Sequence, residues 1–240
     1  MLNPNLYNAI FQRKSIRHYD ENTPLSPAQL GLIKEEIAKL VPLLPAERFH
    51  LELGEAREGW RVYGFCENTP LGNANLGFVL QQLDLALHLH GLGRLWFGMG
   101  RSTGGTKAPK GLSYAMCLKV GNASQALARE SAEQFDRKPM EEIVGSEALH
   151  ELFEAVRLAP SAMNVQPWFF EQGEGAIRAW RKRPAGLMKV FIDRMHWIDM
   201  GIALCHAALA IEHTGRPFEI EIAPPADGRE GFDYALDILC

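Results

Sequence analysis

Between Pro160 and Trp168 the chain reads Pro-Ser-Ala-Met-Asn-Val-Gln-Pro-Trp. Pro160 and Pro167 stiffen this stretch by fixing φ, and Ser161 and Asn164 set two short polar side chains between them. Far upstream, Arg13-Lys14-Ser15-Ile16-Arg17 gathers three cations and a hydroxyl into one short run. Arginine suits phosphate because its planar fork donates two parallel hydrogen bonds. The same run also reads as an ordinary basic helix end, where cations complement the helix dipole. A second basic pair, Arg137-Lys138, stands shortly before Glu141-Glu142. Arg17 and Pro160 are 143 positions apart, so the two runs serve one site only if the fold brings remote segments together.

The stretch from Arg157 to Trp168 resembles the signature of the FMN-dependent nitroreductase superfamily, and Arg13 to Arg17 resembles that superfamily's N-terminal R-x-S-x-R motif. The resemblance implies an α+β, nitroreductase-like fold with FMN as cofactor. It implies that Arg13 and Ser15 hold the FMN phosphate with Lys14 adjacent, that Arg137 and Lys138 reach the same phosphate, and that Arg17 lies at the pyrimidine side. Pro160, Ser161, Ala162 and Asn164 would belong to the loop that the family's homodimers donate across their interface to the flavin. Gly91 to Gly100 resembles the segment behind the flavin's central ring, which makes the backbone of Gly98 the candidate to approach N5, with Trp96 and Phe97 beside it. Glycine permits such close backbone approach. No catalytic side chain is expected, because the chemistry belongs to the flavin. The implied activity is an oxidoreductase that uses NAD(P)H to reduce a small electron-poor acceptor, such as a nitroaromatic or a quinone. A flavin-binding or sensing module without turnover is the alternative.

In the superfamily the loop signature follows the first motif by a few dozen residues. Here Val41-Pro42-Leu43-Leu44-Pro45-Ala46 stands in that place, and the loop comes only in the second half of the chain. The expected organisation is therefore two similar α+β halves packed as an internal pseudo-dimer. Residues 1–135 would supply the phosphate and N5 side, and 136–240 would donate the loop. An internal echo supports this. Leu76-Gly77 aligns with Met200-Gly201 and Gly91 with Gly215 at an offset of 124, as Arg13-Lys14 does with Arg137-Lys138; Tyr114-Ala115 returns as Tyr234-Ala235 at 120. At the mirror-image site Pro139 replaces Ser15 and Glu141 replaces Arg17, so one FMN per chain is expected. A monomer is then expected rather than an obligate homodimer.

Local patterns set out the elements that must carry these residues. Asn3-Pro4 is expected to start a helix running to about Arg13, and Ser26-Pro27-Ala28-Gln29 has the form of a capping box. Strands are expected at 48–54, 60–66 and 114–120, a helix from Leu76 to Gly91, and an apolar run at 95–99. A Gly/Pro/Lys-rich loop follows at 101–110. Its Gly104-Gly105-Thr106-Lys107 lacks the spacing of a phosphate loop. Ser146 is expected to cap a helix that Pro160 stops. Trp168 to Gln172, Phe218 to Ile222 and Phe232 to Leu239 read as strands, and Lys189 to Thr214 as a long helix.

Composition narrows the setting. The 240 residues are 47% apolar, enough for a sizeable core. A formal net charge of −4 gives no footprint for nucleic acid. No apolar run has the length of a membrane span, and the N-terminus has no signal-like core. Cys66, Cys117, Cys205 and Cys240 are widely spaced, which suits reduced thiols and a cytoplasmic setting. The histidines show no metal-site motif.

Overall fold

The chain opens on α1 (Asn5–Ile10), where the Asn3 side chain accepts a hydrogen bond from the Asn5 N–H at 3.1 Å. This helix stops short of Arg13. α2 (Pro27–Ala38) begins at the expected capping box: Ser26 Oγ accepts from the Gln29 N–H, and the Gln29 side chain accepts from the Ser26 N–H. β1 (Phe49–Ala56) and β2 (Gly59–Cys66) pair as a hairpin. α3 (Pro70–Leu89) starts well before the expected Leu76. Thr69 caps it by accepting from the Gly72 N–H, and Pro70 takes the first turn, where its missing N–H costs nothing. β3 (Gly93–Phe97) and β4 (Ser113–Gly121) complete an antiparallel sheet in the order β1-β2-β4-β3. The computed structural model describes residues 1–98, 106–173, 175–186 and 189–240. Met99, Gly100 and the first half of the loop expected at 101–110, residues 101–105, lie outside the described residues.

The second half repeats this plan. α4 (His150–Arg157) leads into β5 (Trp168–Gln172) and β6 (Ala176–Lys182); α5 (Lys189–His213) follows, then β7 (Glu219–Glu221) and β8 (Phe232–Leu239). The second sheet runs β5-β6-β8-β7, the same path as the first, and is again antiparallel. Two details depart from expectation. Ser146 does not cap α4, because a 3₁₀ turn over Glu147–Leu149 intervenes and the Ser146 hydroxyl lies toward Gln172. β6 has no counterpart in the sequence reading, since its Arg178, Arg181 and Lys182 break the apolar run that would mark a buried strand.

The repeated Tyr-Ala pair has a structural meaning. Between β2 and β4 the register skips from Gly64–Met116 to Phe65–Tyr114, leaving Ala115 as the extra residue of a β-bulge. Between β6 and β8 it skips from Ala179–Leu236 to Trp180–Tyr234, leaving Ala235. Each sheet thus bends at the same place.

Gly77 and Gly201 explain the other echo. A Cβ on Gly77 would lie 2.1 Å from the Ile198 carbonyl oxygen, and one on Gly201 would lie 1.8 Å from that of Ala74. α3 and α5 therefore cross backbone against backbone, each through its own glycine. Every residue of α3 from Gly72 to His88 is buried, and one apolar core runs through both halves. This is the packing expected of units that cannot each bury an apolar face alone. Among the described residues no helix is long and apolar enough to cross a membrane.

Candidate functional site

A cavity of about 530 Å³ opens between the halves. The first half supplies Ser15 and Arg17 from the segment after α1, Leu95, Trp96 and Gly98 from β3 and its end, and Met116 from β4. The second half supplies Pro160, Ser161, Ala162 and Met163, together with Ile192, Met195, Asp199 and Ile202 of α5. The volume falls in the range of sites for drug-sized ligands, and the walls are mostly apolar with a few convergent polar groups. The nearest described atoms to a Cβ on Gly98 would belong to Met116 and Met195, at 3.5–3.6 Å, an ordinary van der Waals distance. The bare backbone leaves that space to the cavity.

Behind the first-half wall, Asp84 organises two arginines. Its carboxylate accepts from Arg13 Nε at 2.6 Å, from Arg94 Nε at 3.0 Å and from the Trp96 indole at 3.3 Å. Burial pushes the Asp84 carboxyl up, but the two guanidiniums and the indole outweigh it and hold the group below the usual carboxylate range. Arg13 is buried, and its Nη2 donates to Ser15 Oγ at 3.1 Å. It stands behind Ser15 rather than in the cavity wall. Lys14 contributes its carbonyl, which accepts from Arg94.

The second basic element is less neutralised. Arg137 donates to Asn164 Oδ1 at 2.9 Å and to the carbonyls of Asp136 and Leu158, while its Nε is buried without a partner among the described residues. Arg129 donates to the carbonyls of Gln134 and Arg13 and lies over the Phe135 ring at 4.1 Å. Neither side chain has a carboxylate partner among the described ion pairs. Burial, and then the charge of Arg13, lowers both guanidiniums to about 10. Desolvated cations that repel one another favour an anion. At the α5 position 124 residues after Asp84 stands Ala208, so the second basic pair has no buried acid corresponding to the one that neutralises the first.

The 160–168 loop is held under strain. Met163, Asn164 and Gln166 have φ of 50°, 58° and 51°, left-handed values that cost on the order of 1–3 kcal/mol each for such residues. A hydrogen-bond network fixes them. Ser161 Oγ accepts from the Gln166 N–H at 2.8 Å, Gln166 Nε2 donates to the Asn164 carbonyl, and Gln166 Oε1 accepts from the Lys138 N–H. Lys138 Nζ donates to the Gln166 carbonyl at 3.3 Å. Asn164 Nδ2 donates to the Asp136 carbonyl at 2.9 Å. Trp168 is buried in the core as an anchor.

Asp199 fixes the start of this loop from α5. Its Oδ1 accepts from the Ala162 N–H at 3.0 Å, while Oδ2 is buried with no partner among the described residues. Burial raises its pKa to about 8, against the lowering effect of the Ala162 N–H.

Of the residues singled out in the sequence, the fold thus gathers Ser15, Arg17, Trp96, Gly98, Pro160, Ser161 and Ala162 around one cavity. Arg13, Lys14, Arg137, Lys138 and Asn164 are not in its wall; they brace the segments that form it. Phe97 points elsewhere, under the Arg61 guanidinium at 5.0 Å. Asp84, Arg129, Met116 and the α5 residues were not anticipated. A lone acid or methionine within an apolar stretch carries no local signal, and only the position of Asp84, ten residues before Arg94, hinted at a pairing. Among the described residues no group of three or more metal-ligating side chains occurs.

Comparison with known proteins gives the family and the fold. The family model described as "Putative TM nitroreductase" matches residues 5–211. A crystal structure described as a "putative nitroreductase" from Thermotoga maritima superposes with a TM-score of 0.69 at 20% identity, covering 98% of this chain and 93% of that one. A nitroreductase from Desulfitobacterium hafniense, solved with bound FMN, has a TM-score of 0.45 at 14% identity, covering 56% of this chain and 96% of that one. No curated protein matches the chain.

Proposed function

Because the chain belongs to this nitroreductase family, we propose that it is a flavin-dependent oxidoreductase that holds one FMN in the cavity between its halves. The observation that carries the reading is the meeting of Ser15 and Arg17 with Pro160–Met163 around one cavity of about 530 Å³, despite their separation in sequence. The residues present fit the cofactor. The apolar walls and the bare Gly98 backbone suit a flat ring system. Behind the wall, the desolvated Arg129 and Arg137 supply positive charge that favours an anion such as a phosphate. In this reading Ser15 meets the phosphate end from the cavity wall, and Arg13, Arg129 and Arg137, behind that wall, supply positive charge at one remove. Arg17, Ser161 and the Gly98 backbone orient the ring. Asn164 and Lys138 act at one remove, by fixing Arg137 and the strained loop. When bound, FMN supplies two-electron chemistry between a reduced nicotinamide, NADH or NADPH, and a small electron-poor acceptor such as a quinone or nitroaromatic.

The single-site stoichiometry belongs to the same proposal. A pocket of only about 60 Å³ lies against the 41–43 turn, bounded by Leu2, Phe78 and Phe218. Phe78 stands 124 positions before Ile202 of the large cavity, and its ring and the N-terminal residues fill the space that a second ligand would need. The division of the chain at 135/136 and function as a monomer are also part of the proposal. They rest on one chain supplying both walls.

Purified protein mixed with FMN should turn yellow, with one FMN bound per chain, and should oxidise NADH or NADPH with menadione or nitrofurazone as acceptor. A protein that stays colourless would refute the reading. A yellow protein without turnover would leave flavin binding and remove the enzymatic claim.

A further inference from the structure

Asp199 is a buried acid that the proposed function does not use. It lies on the α5 wall of the large cavity, and one of its oxygens is committed to the Ala162 N–H. The other has no partner among the described residues.

The mirror position shows that loop fixing alone does not call for an acid. Asn75 stands 124 positions earlier on α3, and it holds the 41–46 turn in the same way. Its Oδ1 accepts from the Leu44 N–H at 3.0 Å, and its Nδ2 donates to the carbonyls of Leu44 and Glu47. An amide performs that task with every polar atom satisfied. At 199 the second atom is an oxygen, it makes no such bond among the described residues, and the residue that carries it lines the cavity. Burying an unpaired polar atom is costly, so a structural account leaves Asp199 unexplained.

We propose that Asp199 is a neutral carboxylic acid whose Oδ2–H donates into the cavity and delivers the proton required when a bound acceptor is reduced. The inference rests on the flavin reading above for its source of electrons. Two-electron reduction of a quinone or nitro group by hydride from the reduced flavin leaves one oxygen in need of a proton. The O–H bond of Asp199 breaks, its electron pair stays on the carboxylate, and the proton forms the new O–H bond of the product. The carboxylate then takes a proton from water, which restores the acid.

Surrounding charges do not compete for this role. Arg17 is the one ionisable side chain besides Asp199 in the described cavity lining. Asp84 of α3 is paired with Arg13 and Arg94, and Arg137 is engaged by Asn164 and the Leu158 carbonyl. Of the neighbouring histidines on α5, His196 faces the Lys182 carbonyl and His206 the Ala155 carbonyl. The loop contributes no charge. Burial keeps the Asp199 carboxyl protonated up to about pH 8.

The test compares wild type with Asp199→Asn, which keeps the acceptor for the Ala162 N–H. Infrared spectra of wild type should show the carbonyl stretch of a neutral carboxylic acid at pH 6, lost in the variant and titrating near pH 8 in wild type. With FMN bound equally to both, single-turnover oxidation of the reduced variant by menadione should slow about 100-fold, the scale of general-acid catalysis. The wild-type rate should fall above pH 8, and the variant's profile should be flat. An ionised Asp199 at pH 6, or an unchanged oxidation rate in the variant, would overturn the proposal. The infrared titration does not require cofactor. A protein that binds no FMN yet shows the titrating acid removes the flavin reading and keeps the proton-holding acid, while an ionised Asp199 in a yellow protein does the reverse.

Discussion

Asp199→Asn should shift the stability of the protein in a pH-dependent way, and the slope is set by the buried carboxyl itself. In the folded protein this group has a pKa of about 8 because of burial; in the unfolded chain it reverts to about 3.9. Between these values the folded state binds more protons than the unfolded state. Stability from this group is therefore lost as pH rises through that window, by up to about 1.4 kcal/mol per pH unit. Asparagine has no such titration. Between pH 5 and pH 7 the variant should gain roughly 2.7 kcal/mol relative to wild type, which is about 5–11 °C in Tm for a chain of this size. Its unpartnered amide adds a cost of about 1–3 kcal/mol that does not vary with pH, so the trend and not the sign at one pH carries the test. Buried His88 and His206, lowered by burial to about 4 and about 3, act in the opposite direction. They charge in the unfolded chain first, so stability is lost as pH falls below about 6.5. Both are present in each protein and cancel in the difference. Thermal melts of the two proteins from pH 5 to pH 8 decide the matter. A Tm difference that stays constant would refute the assignment of a neutral acid.

Further outcomes follow from the same geometry. Arg137→Ala should weaken FMN binding by roughly 1.5–3 kcal/mol, about 10- to 150-fold, through loss of desolvated positive charge behind the phosphate end and of the bond that holds Asn164; a fluorescence titration giving the wild-type Kd would place the phosphate elsewhere. Arg13→Ala should act chiefly on stability, losing about 3–5 kcal/mol because buried Asp84 keeps only one cation, Arg94, beside the Trp96 indole; urea unfolding should show it, and an unchanged midpoint would mean the pair is dispensable. Gly201→Ala should prevent or severely weaken folding, because its Cβ would fall 1.8 Å from the Ala74 oxygen. Gly31→Ala, with nothing within 4 Å, should be neutral or stabilising by about 0.5–1 kcal/mol in its helix. Equal melting temperatures for these two variants would contradict the helix crossing.

Much of this was legible before any coordinates. Prolines, caps and glycines act locally, so Ser26, Pro27 and Gln29 set the start of α2. The start of α3 is equally local, since Thr69 and Pro70 carry the same type of signal, six residues before the apolar run that begins at Leu76. β6 was missed because its arginines pair across the fold, Arg178 with Asp237 and Arg181 with Asp193 and Asp233, and such partners are invisible in a local window.

The two motif-bearing turns and the repeated glycine and Tyr-Ala pairs are written in the order of residues, and with them the expectation of a two-part fold. What those residues do depends on how the chain packs. Packing turned Gly77 and Gly201 into one helix crossing, placed Arg13 on Asp84 rather than in the cavity wall, and left one oxygen of Asp199 unpaired beside a ligand-sized space. The reason is physical. Backbone signals depend on a few consecutive residues, whereas the charge state and availability of a side chain depend on burial and on partners that folding brings from far along the chain.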